Sequence, residues 1–296
     1  MFIIMIRIRI NAFIATAIAI FIVILLVIWR NRETFKDPVR NNKLCIIVTT
    51  YNPGESYIDN CLKSIEKQTY KNYSVCIVDD ASTKNVEECH AVIRSYCDRN
   101  GWEFIVRSEN IGPLGARIDA INKLCTGEAS GEDIIVSVDG DDELNDMYVF
   151  EKLNMIYQDD TLITFGNFVN HINNVLGKPN INCRRHNFNK LIRTNGYRRY
   201  RWIFTHLKTF KYKLYRGIHH DDLKRNGRYL KSATDIALMI PMLEMAGGKF
   251  KCVQNVMYKY NRTHSESHNV DSVKLRNQKD NSRYVKRLPP YEKRFI

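Results

Sequence analysis

Four short apolar runs, each opening onto a polar cluster, limit what this chain can fold into more than any other feature of its sequence. They cover residues 45–49, 74–78, 104–106 and 134–138. Between the first two lie Ile58, Cys61, Leu62 and Ile65, spaced i, i+3, i+4, i+7, and between the next two lie Val86, Cys89, Ile93 and Cys97 in a similar rhythm. Both spacings put the apolar side chains on one face of a helix. A third helical segment opens at Pro113 and sets Ile118, Ile121 and Cys125 on one side. Strands that alternate with amphipathic helices form a mainly parallel sheet covered on both faces, so the expected class is α/β. Beyond residue 150 the pattern loosens to a strand at 162–165, an apolar helix at 233–246 and a strand-like run around 250–260.

Residues 12–29 read AFIATAIAIFIVILLVIW, with Thr16 the one polar side chain. At ~1.5 Å per residue this nearly spans a ~30 Å hydrocarbon core, which predicts a single transmembrane helix. A cleaved signal peptide would need small residues at a cleavage site, but the run ends in Trp29-Arg30-Asn31-Arg32. Arg30, Arg32, Lys36, Arg40 and Lys43 outnumber Arg7 and Arg9 on the other side, which favours a cytosolic body over a luminal one. Sequons at Asn72-Tyr73-Ser74 and Asn261-Arg262-Thr263 carry the luminal alternative.

The net charge is +13, and it is local: residues 183–232 hold fifteen Lys and Arg against Asp221 and Asp222. With 44% hydrophobic residues, disorder is excluded. The eight cysteines include no CxxC pair, and Cys45 and Cys76 sit inside apolar runs, so reduced, packed thiols are expected.

In an open α/β sheet, ligands sit beyond the carboxyl ends of the strands. Those ends read Thr49-Thr50-Tyr51-Asn52-Pro53, Asp79-Asp80-Ala81-Ser82-Thr83 and Asp139-Gly140-Asp141-Asp142, with Asn110-Ile111-Gly112 opening the third helix. Three carboxylates in four positions repel one another unless a cation lies between them, so Asp139 and Asp141 are candidate ligands for Mg²⁺ or Mn²⁺; a solvated acidic turn is the alternative. Asp79-Asp80 suits a nucleobase or ribose, with Ser82 also able to cap the next helix. Tyr51 can stack on a base, and Arg117 can reach a phosphate. Neither GxxxxGK[ST] nor GxGxxG occurs, which argues against P-loop and nicotinamide enzymes.

In order, IIVTTYNP, CIVDDAST, NIGPLGARIDAI and VSVDGDDEL resemble the family 2 glycosyltransferases of the GT-A fold, from about Lys43 to Asn261. The resemblance implies a Rossmann-like nucleotide-binding sheet with an acceptor-side subregion. Its implied layout is anchor 1–30, stem 31–42, nucleotide-sugar half 43–150, acceptor half 151–265 and basic tail 266–296. It assigns Thr50, Tyr51, Asn52, Asp79, Asp80, Arg117 and Asp139 to the donor nucleotide, and Asp139, Asp141 and a histidine after the last strand, His268, to a divalent metal. His264 is the neighbouring histidine, and a surface role is the alternative for both. Where the family writes Glu-Asp, this chain has Thr234-Asp235, so Asp235 is the candidate base. Arg198-Arg199-Tyr200-Arg201-Trp202 lacks the Gln of QxxRW and precedes Asp235, so processive synthesis is not expected.

The implied activity is inverting, metal-dependent transfer of one sugar from a nucleotide sugar, UDP-linked, to a hydroxyl of a glycan, lipid or protein. Membrane contact is expected through residues 12–29 and the segment 183–232. That segment also interleaves Tyr197, Tyr200, Trp202, Phe204, Phe210, Tyr212 and Tyr215 with its cations. It admits a rival class, a membrane-tethered nucleic-acid- or anionic-lipid-binding protein, though nucleic acid is not the expected partner. A nucleotidyltransferase on the same fold is the other alternative.

Overall fold

The first apolar run becomes β1 (Leu44–Thr50), buried along its whole length. A strand buried on both faces needs no polar alternation, which is why its sequence is continuously apolar. In the computed structural model, which describes residue 22 and residues 39–127, 129–172, 175–181, 183–262 and 272–295, β1 lies between β2 (Tyr73–Asp79) and β4 (Ile134–Asp139), parallel to both. β3 (Glu103–Val106) extends the parallel set beyond β2. The connecting helices are α1 (Glu55–Glu66), α2 (Val86–Asn100) and α3 (Pro113–Leu124).

Alternate residues of β1 feed two cores. Cys45 and Ile47 pack with Leu114, Ile118 and Ile121 of α3, while Leu44, Ile46 and Val48 pack with Ile58, Leu62 and Ile65 of α1 and Ile93 of α2. Each fully buried Ile or Leu contributes about 1.5–3 kcal/mol relative to exposure. The periodic positions read from the sequence are thus the buried faces, except that Val86 and Cys97 are half-buried and His90 and Tyr96 complete the stripe of α2.

The second half comprises β5 (Glu143–Leu144), α4 (Val149–Ile156), β6 (Ile163–Ile172), β7 (Val175–Leu176), α5 (Phe188–Thr194), β8 (Lys208–Lys211), α6 (Tyr212–Arg216), β9 (Lys224–Arg225), β10 (Arg228–Tyr229), α7 (Thr234–Met245), β11 (Phe250–Asn261) and α8 (Ser272–Arg287). The sheet order is β3-β2-β1-β4-β8-β6-β11-β5, with β7 on β6. β8 is antiparallel to both neighbours, pairing Ser137 with Lys208 on one side and Thr164 with Thr209 on the other. The sheet therefore runs unbroken across residue 150, and the described residues from Asn41 onward form one unit.

Four sequence expectations need revision or fall outside the described residues. The basic segment is not one exposed patch: it supplies β8, whose Lys208 and Lys211 are buried, and Arg198 is buried against Glu244 through two 2.8 Å contacts. Its charge was read as surface because a central strand with two lysines has no apolar signature. Nor are the cysteines all reduced, since Cys183 and Cys252, 69 residues apart, form a disulfide. The fold brings the turn before α5 against β11, a proximity that spacing does not reveal. Within the tail, α8 packs through the buried Val285, and Tyr291 beyond it donates its N–H to Glu244. Finally, the apolar segment 12–29, apart from Ile22, and both His264 and His268 lie outside the described residues; among the described residues no helix is long and apolar enough to cross a membrane.

Candidate functional site

The carboxyl ends of β1, β2 and β4 meet the N-terminus of α3, as the strand order requires. Two close approaches depend on glycine. A Cβ on Gly140 would lie 2.8 Å from Thr50 Cβ, and Gly112, at φ +89°, presses on Lys231.

Several of the polar residues at this edge are engaged in holding it together. Asn52, at φ 48°, accepts from the N–H groups of Thr83 (2.7 Å) and Lys84 (3.0 Å), while its own N–H donates to Ser82 Oγ. Asp79 accepts from Ser82 and faces His90 Nε2 at 2.7 Å. Asp80 accepts from the N–H groups of Ile111 (3.0 Å) and Gly112 (2.7 Å), fixing the start of α3. Both carboxylates are buried; burial pushes Asp80 above its usual range, against the two N–H groups and Arg107. Tyr51, in contrast, is 41% exposed at the rim, and Thr50 is buried behind it.

At the centre stands Arg117. It is buried on α3, and its Nη2 lies 2.7 Å from Asp139 Oδ1. Its Nη1 lies 2.8 Å from Thr234 Oγ1 and 3.3 Å from Asp235 Oδ1. Burial alone would lower its affinity for a proton, but the carboxylates of Asp139 and Asp235 outweigh that and hold it above its ordinary value. Asp235 opens α7 with its second oxygen 2.8 Å from Lys208 Nζ. Burial acts to raise the Asp235 carboxyl, yet Lys208, Arg117 and His206 together hold it well below the usual range.

Beside this network, single ligand atoms of Asp139, Asp142 and His206 all lie within 4.8 Å of one another. Asp142 is buried and accepts the N–H of Asn261, the last residue of β11, at 2.7 Å. Burial, then Asp141 and Asp139, push its carboxyl far above the usual range. The His206 ring stacks on Tyr258 at 4.6 Å between centroids, and burial followed by Lys208 pushes its imidazole down to about 4.

Sequence reasoning thus located Asp139, Arg117 and Asp235, which the fold joins. The metal-type cluster contains Asp142 where Asp141 was expected, although Asp141 remains close enough to raise Asp142. His206 and Lys208 were missed. No period marks them: His206, Lys208 and Phe210 mix polar and apolar residues just as Leu207, Thr209 and Lys211 do, and all four residues of β8 are buried.

The family profile described as Glycosyl transferase family 2 matches residues 45–222. Glycosyltransferase GlyA of Streptococcus pneumoniae is 30% identical over 128 residues, 43% of this chain and 17% of its own length. Teichoic acid poly(glycerol phosphate) polymerase of Staphylococcus epidermidis is 38% identical over 104 residues, 35% of this chain and 13% of its own. The chain therefore matches only a small part of the length of either relative. Among solved structures, S. aureus TarS 1–349 superimposes with a TM-score of 0.53 at 20% identity, covering 74% of this chain and 60% of that one; the same protein has been crystallised with UDP-GlcNAc. GalNAc-T7 with UDP, GalNAc and Mn²⁺ superimposes with a TM-score of 0.54 at 13% identity, covering 82% of this chain and 47% of that one. At these identities the structures share the fold, a mixed α/β sheet of the GT-A type. With a profile match over more than half its residues, the chain belongs to glycosyl transferase family 2.

Proposed function

We propose that the chain transfers one sugar from a UDP-linked donor to a hydroxyl acceptor, inverting the anomeric centre. The observation that carries this reading is the pairing, across the end of one sheet, of the Asp139–Asp142–His206 cluster with a carboxylate at the head of a helix, Asp235, both in reach of Arg117. The TarS and GalNAc-T7 complexes with uridine nucleotides support UDP as the nucleotide. Tyr51 offers an exposed ring for the base, and Thr50, Asn52, Asp79 and Asp80 shape the loop around it. Arg117 takes the diphosphate. Asp235 receives the proton of the acceptor hydroxyl as its oxygen attacks the anomeric carbon and the bond to the diphosphate breaks, a contribution typically of ~10²–10⁴-fold.

A divalent cation suits the cluster. Asp142 Oδ2 and His206 Nδ1 are buried without a hydrogen-bond partner among the described residues, and two carboxylates with an imidazole are a fitting donor set for Mn²⁺. Asp139, Asp142 and His206 would hold it, with Asp141 adjacent. A metal bound there supplies Lewis-acid neutralisation of charge on the departing diphosphate.

The anchor at 12–29 remains part of the proposal, with the basic surface of 183–232 reduced to residues such as Arg185, Arg199 and Arg201. The Cys183–Cys252 bridge favours an oxidising compartment for the catalytic body, against the cytosolic side suggested by the flanking charges. The test is a panel of nucleotide sugars with Mn²⁺, scoring release of the nucleoside diphosphate with and without EDTA. Release that needs both a particular donor and Mn²⁺ supports the reading. Pyrophosphate as product, or no turnover with any donor, opposes it.

A further inference from the structure

The carboxylate proposed as base has both oxygens engaged by cations, and the two cations are not equivalent. Lys208 sits on β8, hydrogen-bonded to a strand on each side, with a side chain 4% exposed. Among the described residues Asp235 is its one carboxylate within ion-pair reach, at 2.8 Å. Arg117 is equally buried but shares itself among Asp139, Asp235 and Thr234. An arriving diphosphate can therefore recruit Arg117 without leaving it unpaired. Drawing Lys208 away would strand a buried ammonium and a carboxylate together, the costliest change available to such a pair.

From this asymmetry we propose that Lys208 is a positioning residue for sugar transfer. It anchors Asp235 through Oδ2, so that Oδ1, released when Arg117 turns to the donor diphosphate, is the oxygen that receives the acceptor proton. The inference rests on Asp235 as base. A carboxylate with two cationic partners is a weak base, and one with a single fixed partner is both aimed and stronger. Donor binding thus becomes the event that prepares the base. Lys208 does not itself contact the donor in this arrangement, so its loss separates turnover from affinity.

The experiment uses the full chain with Lys208→Met, Lys208→Arg, Asp235→Asn and the Lys208→Met/Asp235→Asn pair. Calorimetry with UDP and Mn²⁺ reads affinity, and donor-saturated UDP release with acceptor reads kcat. Lys208→Met is expected to bind UDP within about twofold of the parent while kcat falls about tenfold or more, and Lys208→Arg is expected to recover most of that loss. On the Asp235→Asn background, Lys208→Met should add little, because the residue it positions is gone. If Lys208→Met does not fold, Lys208→Gln, which keeps a donor without the charge, carries the same expectations. Unchanged kcat in the folded variant overturns the proposal, as does a parallel loss of UDP affinity, which would place Lys208 on the diphosphate. Should Asp235→Asn retain turnover, the reading of the base fails first, and Lys208 falls with it.

Discussion

Arg117 Nη2 lies 2.7 Å from Asp139 Oδ1, so one carboxylate of the Asp139–Asp142–His206 cluster is ion-paired to α3. A cation arriving at Asp139 competes with the guanidinium, and a diphosphate arriving with it offers that guanidinium a new partner. Arg117→Met should therefore bind Mn²⁺ more tightly in the absence of nucleotide. It should bind UDP about tenfold or more weakly, since charge-assisted hydrogen bonds contribute about 1.5–3 kcal/mol each. Titration calorimetry with each ligand separately checks both directions.

The Arg198–Glu244 pair joins the turn before β8 to α7 and, through Arg198 Nη1 and Val285 O at 2.6 Å, to α8. Removing one partner leaves a buried charge uncompensated, so Arg198→Met is expected to cost about 3–5 kcal/mol. The adjacent Arg199 and Arg201 are exposed, and their replacement should stay within about 0.5 kcal/mol. Urea unfolding of the three single variants separates them. A surface role for the whole basic segment would make all three alike.

Burial, then Lys208, disfavour the charged form of His206 and push its imidazole from an ordinary 6.5 down to about 4. Unfolding frees an imidazole that takes a proton at the higher pH. The contribution of His206 is therefore complete above pH ~6.5, is lost as pH drops through the window down to ~4, and is constant below it, on the order of 3 kcal/mol. His206→Phe keeps an aromatic ring on Tyr258 without the titration. Melting curves in EDTA across this window should show the wild type losing more stability on acidification than the variant; parallel curves would mean that His206 is not the group responsible.

Much of the first half was legible from the amino acids, and the reasons are particular. Ile58, Cys61, Leu62 and Ile65 must share a helical face, and the run 45–49 can only be a strand buried on both sides, so β1–β4 and α1–α3 stand where the periodicity put them. Asp139 was readable as a carboxylate at a strand end and Arg117 as a cation early in the third helix, while Asp235 came from the resemblance to the family's Glu-Asp position. Lys208 and His206 were not, because a polar strand inserted antiparallel into a parallel sheet has its character fixed by partners distant in sequence. The disulfide between Cys183 and Cys252 is likewise a product of tertiary proximity. Asp79, Asp80 and Asn52 were found, but the structure shows them binding their own backbone, a use that the residue types allow and do not announce.

The disulfide closes a loop of 69 residues in sequence separation, and cross-links of that kind typically contribute about 2–4 kcal/mol. Reduction, or Cys183→Ser with Cys252→Ser, is expected to lower the melting temperature while leaving UDP binding intact, because neither cysteine lies at the strand ends. Mass spectrometry of peptides from non-reduced protein, together with melting curves with and without reductant, checks the bond and its effect.

As the proposed base, Asp235 takes part in chemistry and not in donor binding. Asp235→Asn preserves size and still places an oxygen near Lys208 and Arg117. UDP affinity with Mn²⁺ should stay close to wild type while sugar transfer, measured in the same preparation under donor saturation, falls by ~10²-fold or more. Near wild-type transfer by a folded Asp235→Asn protein would contradict the account and place the base elsewhere.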